Sequence, residues 1–358
     1  FNSHPLRGEP PYDAYVQALL EDLEEDLPWV EDRVLQSLYL GGGTPSLFPP
    51  EAIAALLAGI RARLPCRPDL EVTLEANPGT VDAARFAAFR DAGVNRLSIG
   101  VQSFDDARLA GLGRIHDGGE ARAAVEAAQA AGFERINLDL MHGLPGQDVE
   151  GALADLETAL AFAPGHLSWY QLTIEPHTAF HRQPPTLPDE DTAWAIREAG
   201  LARLRAAGYE HYEVSAHARA GQACRHNLNY WQFGDYLGIG AGAHGKLTLA
   251  GTGRVLRTVR VHHPEAWLAA PGRRKARTHR LSDADLLFEY LLNRLRLTEP
   301  FSREAFEAAT GLAFETLAPK LERACAEGLL EALPGQRYRP SPLGARFLDD
   351  LTARFLPD

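Results

Sequence analysis

The run RINLDLMHGLPG, Arg135–Gly146, decides how this chain folds. Its first half reads as a β-strand, in which side chains repeat every second residue, so Asn137 and Asp139 share one face. A carboxylate on the inner face of an otherwise apolar strand costs free energy unless a ligand or partner satisfies it. Its second half turns in glycine and proline chemistry.

The same design recurs along the first 215 residues. Strands are expected at Ser37–Leu40, Leu70–Ala76, Arg96–Val101, Arg135–Leu140, His166–Thr173 and Glu210–Ser215. Amphipathic helices are expected at Pro50–Leu64, Val81–Ala92, Gly119–Ala131, Asp148–Phe162 and Asp189–Ala207, after an opening helix at Tyr12–Leu27. Strand then helix, repeated, predicts a parallel sheet with right-handed crossovers. Five strand ends are polar or glycine-rich: YLGGGTPS, TLEANPGT, SIGVQSFD, NLDLMHGLPG and YQLTIEP. A doubly wound sheet concentrates its chemistry at one switch point. A barrel loads every C-terminal strand end, so a barrel is expected. Glu75, Gln102 and Asp139 together predict a bound polar ligand.

The chain has 358 residues and a net charge of −12, from 48 acidic and 36 basic residues. That balance argues against general nucleic-acid binding. No apolar run approaches the roughly 20 residues of a membrane helix. Cys66, Cys224 and Cys325 match no metal or disulfide spacing, which fits a reducing, cytoplasmic setting.

Between residues 216 and 280 the character changes. Eleven basic residues face only Asp235 and Glu265, a local charge of +9, and six of the thirteen histidines fall here. Such a segment is expected to attract an anion. Residues 281–358 read as a small winged-helix-like unit, mostly helical. In a DNA reader its second helix should be basic; with nine basic and thirteen acidic residues from Ser282 onward, it reads as a packing or docking module.

Two glycine clusters invite a nucleotide reading. GGGTP (Gly41–Pro45) lacks the Lys-Ser/Thr of a phosphate loop. GIGAGAHG (Gly238–Gly245) precedes a strand-like KLTL where a dinucleotide fingerprint needs a helix, so tight backbone packing is expected.

GGGTPS, LEANPGT, LSIGVQSFDD, LGRIH, NLDLMHGLPGQ, YQLTIEP, CRHNLNYW and YLGIGAGAHGK occur in that order. Together they resemble the radical S-adenosylmethionine family around oxygen-independent coproporphyrinogen III oxidase, and more closely its sister group, the HemW-type heme chaperones. The resemblance covers essentially the whole chain. It implies a partial (β/α) radical-SAM-type barrel over residues 1–215, a heme or porphyrin region over 216–280, and the winged-helix-like domain over 281–358. In that family a C-x-x-x-C-x-x-C motif ends the first barrel strand and, in the chaperone group, runs on into FNSH. The sequence opens at that point (Phe1–His4), so the first strand and the [4Fe–4S] cysteines are expected to be absent from it. Cys66, Cys224 and Cys325 are not expected to replace them.

The resemblance also implies roles. Gly42, Gly43 and Thr44 match the motif that holds the methionine end of S-adenosylmethionine, and Glu75 matches a carboxylate on the same ligand. Gln102 and Asp139 match residues at the ribose hydroxyls, Arg114 matches the partner of the methionine carboxylate, and Leu172 lines the adenine. His226, Asn227, Tyr230 and Trp231 match the motif proposed to engage heme, with His244 as a second axial candidate. Arg219, Arg225 and Lys246, with some of Arg254, Arg257 and Arg260, are expected to cradle heme carboxylates. The implied function is a cytoplasmic heme chaperone that passes heme to acceptor proteins. The alternative is the oxidase itself, decarboxylating porphyrinogen propionates by radical chemistry. A winged-helix regulator is the weakest reading.

Overall fold

A computed structural model describes residues 11–30 and 33–357. Phe1–His4, on which the cluster expectation rests, lies outside the described residues. The described chain divides into two compact units. One takes in Gln36–Leu57 and Arg67–Cys224, the other Asp13–Leu35, Ala58–Cys66 and the chain from Arg225 onward.

The first unit is built on seven strands: β1 (Leu35–Leu40), β2 (Cys66–Ala76), β3 (Arg96–Gln102), β4 (Ile136–His142), β5 (His166–Gln171), β6 (Glu210–Glu213) and β7 (Ala216–Ala218). Their order is β1-β2-β3-β4-β5-β7-β6, an open half-barrel. The β2–β3, β3–β4 and β4–β5 pairs are parallel, as the strand–helix alternation predicts. The far edge differs from expectation. Two residues separate β6 from β7, too few for a crossover, so β7 runs antiparallel to both β6 and β5.

Aspartates start five of the helices in this unit. Asp82, Asp105, Asp117, Asp148 and Asp189 each accept a backbone N–H three residues on. These caps move several expected helix starts by one or two residues. The helix-facing strand residues, such as Leu74, Leu97, Ile99, Leu138 and Leu140, are fully buried. The opposite face of the sheet is polar.

The second unit holds two small sheets. Strands β8 (His244–Thr248), β9 (Val255–Arg260) and β10 (Lys275–Arg280) form an antiparallel meander. GIGAGAHG enters it by close backbone approach: a Cβ on Gly238 would stand 1.8 Å from the His244 carbonyl oxygen. The third sheet joins β11 (Phe301–Ser302), β12 (Leu330–Leu333) and β13 (Arg337–Pro340) in the order β11-β13-β12. Helix Asp283–Arg294, β11, helices Arg303–Thr310 and Ala318–Ala326, then the β12–β13 hairpin give winged-helix order around a core of Tyr290, Leu291, Phe301, Phe306, Leu317 and Leu321.

Candidate functional site

The polar face of the first unit concentrates its chemistry where the parallel strands end. Gly42 and Gly43, just past β1, take φ of 80° and 52°, a region glycine enters at little cost, and both are exposed with open space beside them. Gly42 N–H donates to Glu75 Oε2 at 3.1 Å, and Tyr39 OH donates to Glu75 Oε1 at 2.7 Å. Thr44 is held by Asn77 Nδ2 at 3.2 Å. The glycine turn and the end of β2 are therefore one structure.

On β4, Asp139 receives Ser98 Oγ at 2.9 Å and Asn137 Nδ2 at 2.8 Å. Asn137 is fixed in turn by His166 Nδ1, 2.6 Å from its Oδ1, and Tyr212 OH lies 2.8 Å from His166 Nε2. Asn137 Oδ1 can only accept, and it accepts from Ser168 Oγ at 3.1 Å as well, so His166 Nδ1 carries the proton. Burial holds His166 neutral, its pKa well below 6.5.

Neither Glu75 nor Asp139 forms an ion pair with a described residue. Burial pushes both carboxyls up, and the charge of Asp139 adds to the rise at Glu75. Arg114 is half-buried, and its guanidinium likewise has no ion-pair partner among the described residues. Burial lowers its pKa, while Tyr170 and Asp139 act the other way. Gln102 ends β3, and its Oε1 accepts from Tyr170 OH at 2.6 Å. Leu172 is buried, its N–H donating to His142 O at 2.9 Å.

The field of Asp139 acts on Tyr39, Glu75, Arg114 and Tyr170 alike, so side chains a hundred positions apart form one cluster. A cation, a bare glycine turn and two acidic side chains, each short of a charged partner, suit a ligand carrying a carboxylate, an ammonium group and hydroxyls. Tyr39 and Tyr170 were missed in the sequence. The signal for Tyr170 was there: His166, Ser168 and Tyr170 alternate on one face of β5, and that face looks onto Asn137 and Asp139.

In the second unit, helix Arg225–Trp231 carries the motif RHNLNYW, all of it half-buried. His226 lies 4.8 Å from Tyr230, ring centre to ring centre, and Tyr230 stacks on Tyr236 at 4.2 Å. Asn227 sits on the same helix, and the Arg296 guanidinium lies 4.3 Å over Trp231. His244 is exposed at the start of β8.

The expected cradle of basic residues is corrected here. Lys246 is buried and bound to Asp235 at 2.7 Å. Arg260 is buried between Asp22 and Asp26, and Arg257 bonds Glu289 at 2.9 Å and the Tyr236 hydroxyl at 2.6 Å. Arg274 and Lys275 are paired with Glu21 and Asp26. Carboxylates in this same unit consume much of the local positive charge. Arg254 remains exposed, and Arg219, in the first unit, stacks on Tyr209.

Among the described residues no group of three or more His, Cys, Asp or Glu could hold a metal ion. Cys66, Cys224 and Cys325 form no disulfide, the Cys224 thiol donates to Glu71 Oε1 at 3.6 Å, and three thiols so far apart in the sequence do not fit an iron–sulfur cluster. No described helix is long and apolar enough to cross a membrane.

Residues 2–159 match the model of the Radical SAM superfamily, and residues 281–347 match the HemN C-terminal domain. The heme chaperone HemW of Escherichia coli K12 is 49% identical over 358 residues, spanning 100% of this chain and 94% of that protein. The mouse mitochondrial protein named radical S-adenosyl methionine domain-containing protein 1 is 41% identical over 338 residues, covering 90% of this chain and 76% of its own length. The solved E. coli coproporphyrinogen III oxidase, a radical SAM enzyme, shares the fold with a TM-score of 0.80 at 20% identity, over 98% of this chain and 84% of that one. Sequence and fold thus agree, and the chain belongs to the HemW heme chaperone family of the radical SAM superfamily.

Proposed function

We propose that this protein is a cytoplasmic heme chaperone that binds heme as cargo and passes it to acceptor proteins. Membership of the radical SAM superfamily implies S-adenosylmethionine and a [4Fe–4S] cluster. In this reading Gly42, Gly43 and Thr44 receive the methionine end of S-adenosylmethionine, with Glu75 on its ammonium and Arg114 on its carboxylate. Gln102 and Asp139 take the ribose hydroxyls, and Leu172 lies against the adenine. The cluster, when bound, supplies electrons; the residues derived above only hold and orient the nucleoside.

Heme is assigned to helix Arg225–Trp231. Imidazole is an ordinary ligand for heme iron; His226, beside Asn227, would hold it, with His244 as the second candidate. Tyr230 and Trp231 offer flat faces to the macrocycle.

What carries the reading is the similarity along the whole chain to proteins named heme chaperones. The fold is common to the oxidase, so the test must separate cargo from substrate. Full-length, anaerobically reconstituted protein is titrated with heme and, separately, incubated with coproporphyrinogen III and S-adenosylmethionine. Heme uptake without protoporphyrinogen is expected; product formation would overturn the reading.

A further inference from the structure

Gln102 is the one strained residue in the cluster. It closes β3 with φ of 68°, in the left-handed region that non-glycine residues rarely occupy, and it is only 4% exposed. Such strain persists only where the surroundings over-determine it. Two features do so. Residue 100 is glycine, and a Cβ there would stand 3.0 Å from Gln102 Nε2 and 3.1 Å from Asn77 Oδ1, so the amide lies over bare backbone. At its other end, Tyr170 OH is 2.6 Å from Gln102 Oε1. A carbonyl oxygen only accepts, so the tyrosine donates.

That hydrogen bond decides a chemical question. A primary amide is nearly symmetric in shape but presents an acceptor at one end and donors at the other. With its oxygen accepting from Tyr170, the Gln102 amide is held one way round, and its NH2 is the end that makes no hydrogen bond to a described residue. Arg114 lies within the field of Tyr170 and can only donate. The phenol proton is thus committed to Gln102.

We propose that Tyr170 is a positioning residue of the ligand site, fixing the Gln102 amide so that its NH2 is aimed at one hydroxyl of a bound nucleoside. The proposal rests on the reading of this site as one for S-adenosylmethionine. It adds a residue that touches no ligand atom yet sets the donor and acceptor pattern that the ligand meets. Without the hydroxyl, the amide flips freely and presents the wrong group part of the time.

The test uses full-length, anaerobically reconstituted protein and three probes: S-adenosylhomocysteine and its 2′-deoxy and 3′-deoxy counterparts. Tyr170→Phe, which keeps the ring, is expected to weaken S-adenosylhomocysteine by about three- to tenfold, the worth of one hydrogen bond. One deoxy probe, the one lacking the hydroxyl that Gln102 serves, is expected to bind wild type and variant equally. In a Gln102→Ala background, Tyr170→Phe is expected to cost nothing further. Equal losses for all three probes, or no loss, would overturn the positioning role while leaving the ligand assignment intact. Failure of the wild-type protein to bind S-adenosylhomocysteine would remove the ligand, and the proposal with it.

Discussion

Arg260 Nε lies 2.7 Å from Asp22 Oδ1 with both side chains wholly withdrawn from water, and Arg260 Nη2 meets Asp26 at 2.6 Å. The pair joins β9 to helix Tyr12–Glu24 across 238 positions of sequence. Removing one partner of such a pair strands a buried charge. Arg260→Leu should therefore destabilise the protein by about 3–5 kcal/mol in urea unfolding. Heme titration of the folded fraction should not change. Lost heme affinity at full stability would return Arg260 to the cargo site.

Asp139 predicts a conflict between binding and stability. Its folded pKa is raised by burial, so the folded state holds the proton more tightly than the unfolded chain. Its contribution to stability falls as pH rises from the ordinary carboxylate range through the folded value. Asp139→Asn should be more stable than wild type at pH 7 without ligand, by about 0.5–2 kcal/mol. The gap should narrow toward pH 4. A less stable variant at pH 7 would show that the charge is satisfied after all.

His142 and His217 act with the opposite sign. Both are buried; burial, with Arg197 nearby, brings His142 to about 4, and burial with His211, Arg197 and His142 brings His217 to about 3. His142 also packs on Trp169, and His217 stacks on His211 at 4.6 Å. Folded values below 6.5 mean that stability is complete above that pH. It is lost as pH falls toward the folded values, at about 1.4 kcal/mol per pH unit per histidine. The raised carboxyls oppose this in the lower part of the range, so the comparison is between variants. His217→Gln should flatten the pH 7 to pH 5 slope; an unchanged slope would refute a buried neutral His217.

His226 and His244 are the two candidates proposed to hold heme iron. His226→Ala should weaken heme binding by about tenfold or more, about 1.4 kcal/mol, and shift the Soret band. His244→Ala should leave both unchanged. The reverse pattern would move the ligand to β8.

The parallel core of the sheet was legible because period-two alternation and strand-end glycines are local signals. Glu75, Gln102 and Asp139 could be marked as inward polar residues for the same reason. The β6–β7 reversal was not legible, because four- and three-residue strands carry too little pattern. Nor was the fate of the basic segment. Whether Lys246 and Arg260 face solvent or Asp235, Asp22 and Asp26 depends on long-range packing that no local window contains. Tyr170 fell between the two: its face was readable, but its partner Gln102 lies 68 positions away.

One ligand is proposed to meet the ends of β1 through β4, and equilibrium binding is the direct test. Full-length reconstituted protein should bind S-adenosylhomocysteine one to one. Arg114→Leu, which removes the only cation assigned to the ligand's carboxylate, should weaken it by about tenfold or more. Equal binding by wild type and Arg114→Leu would contradict the assignment of the cluster.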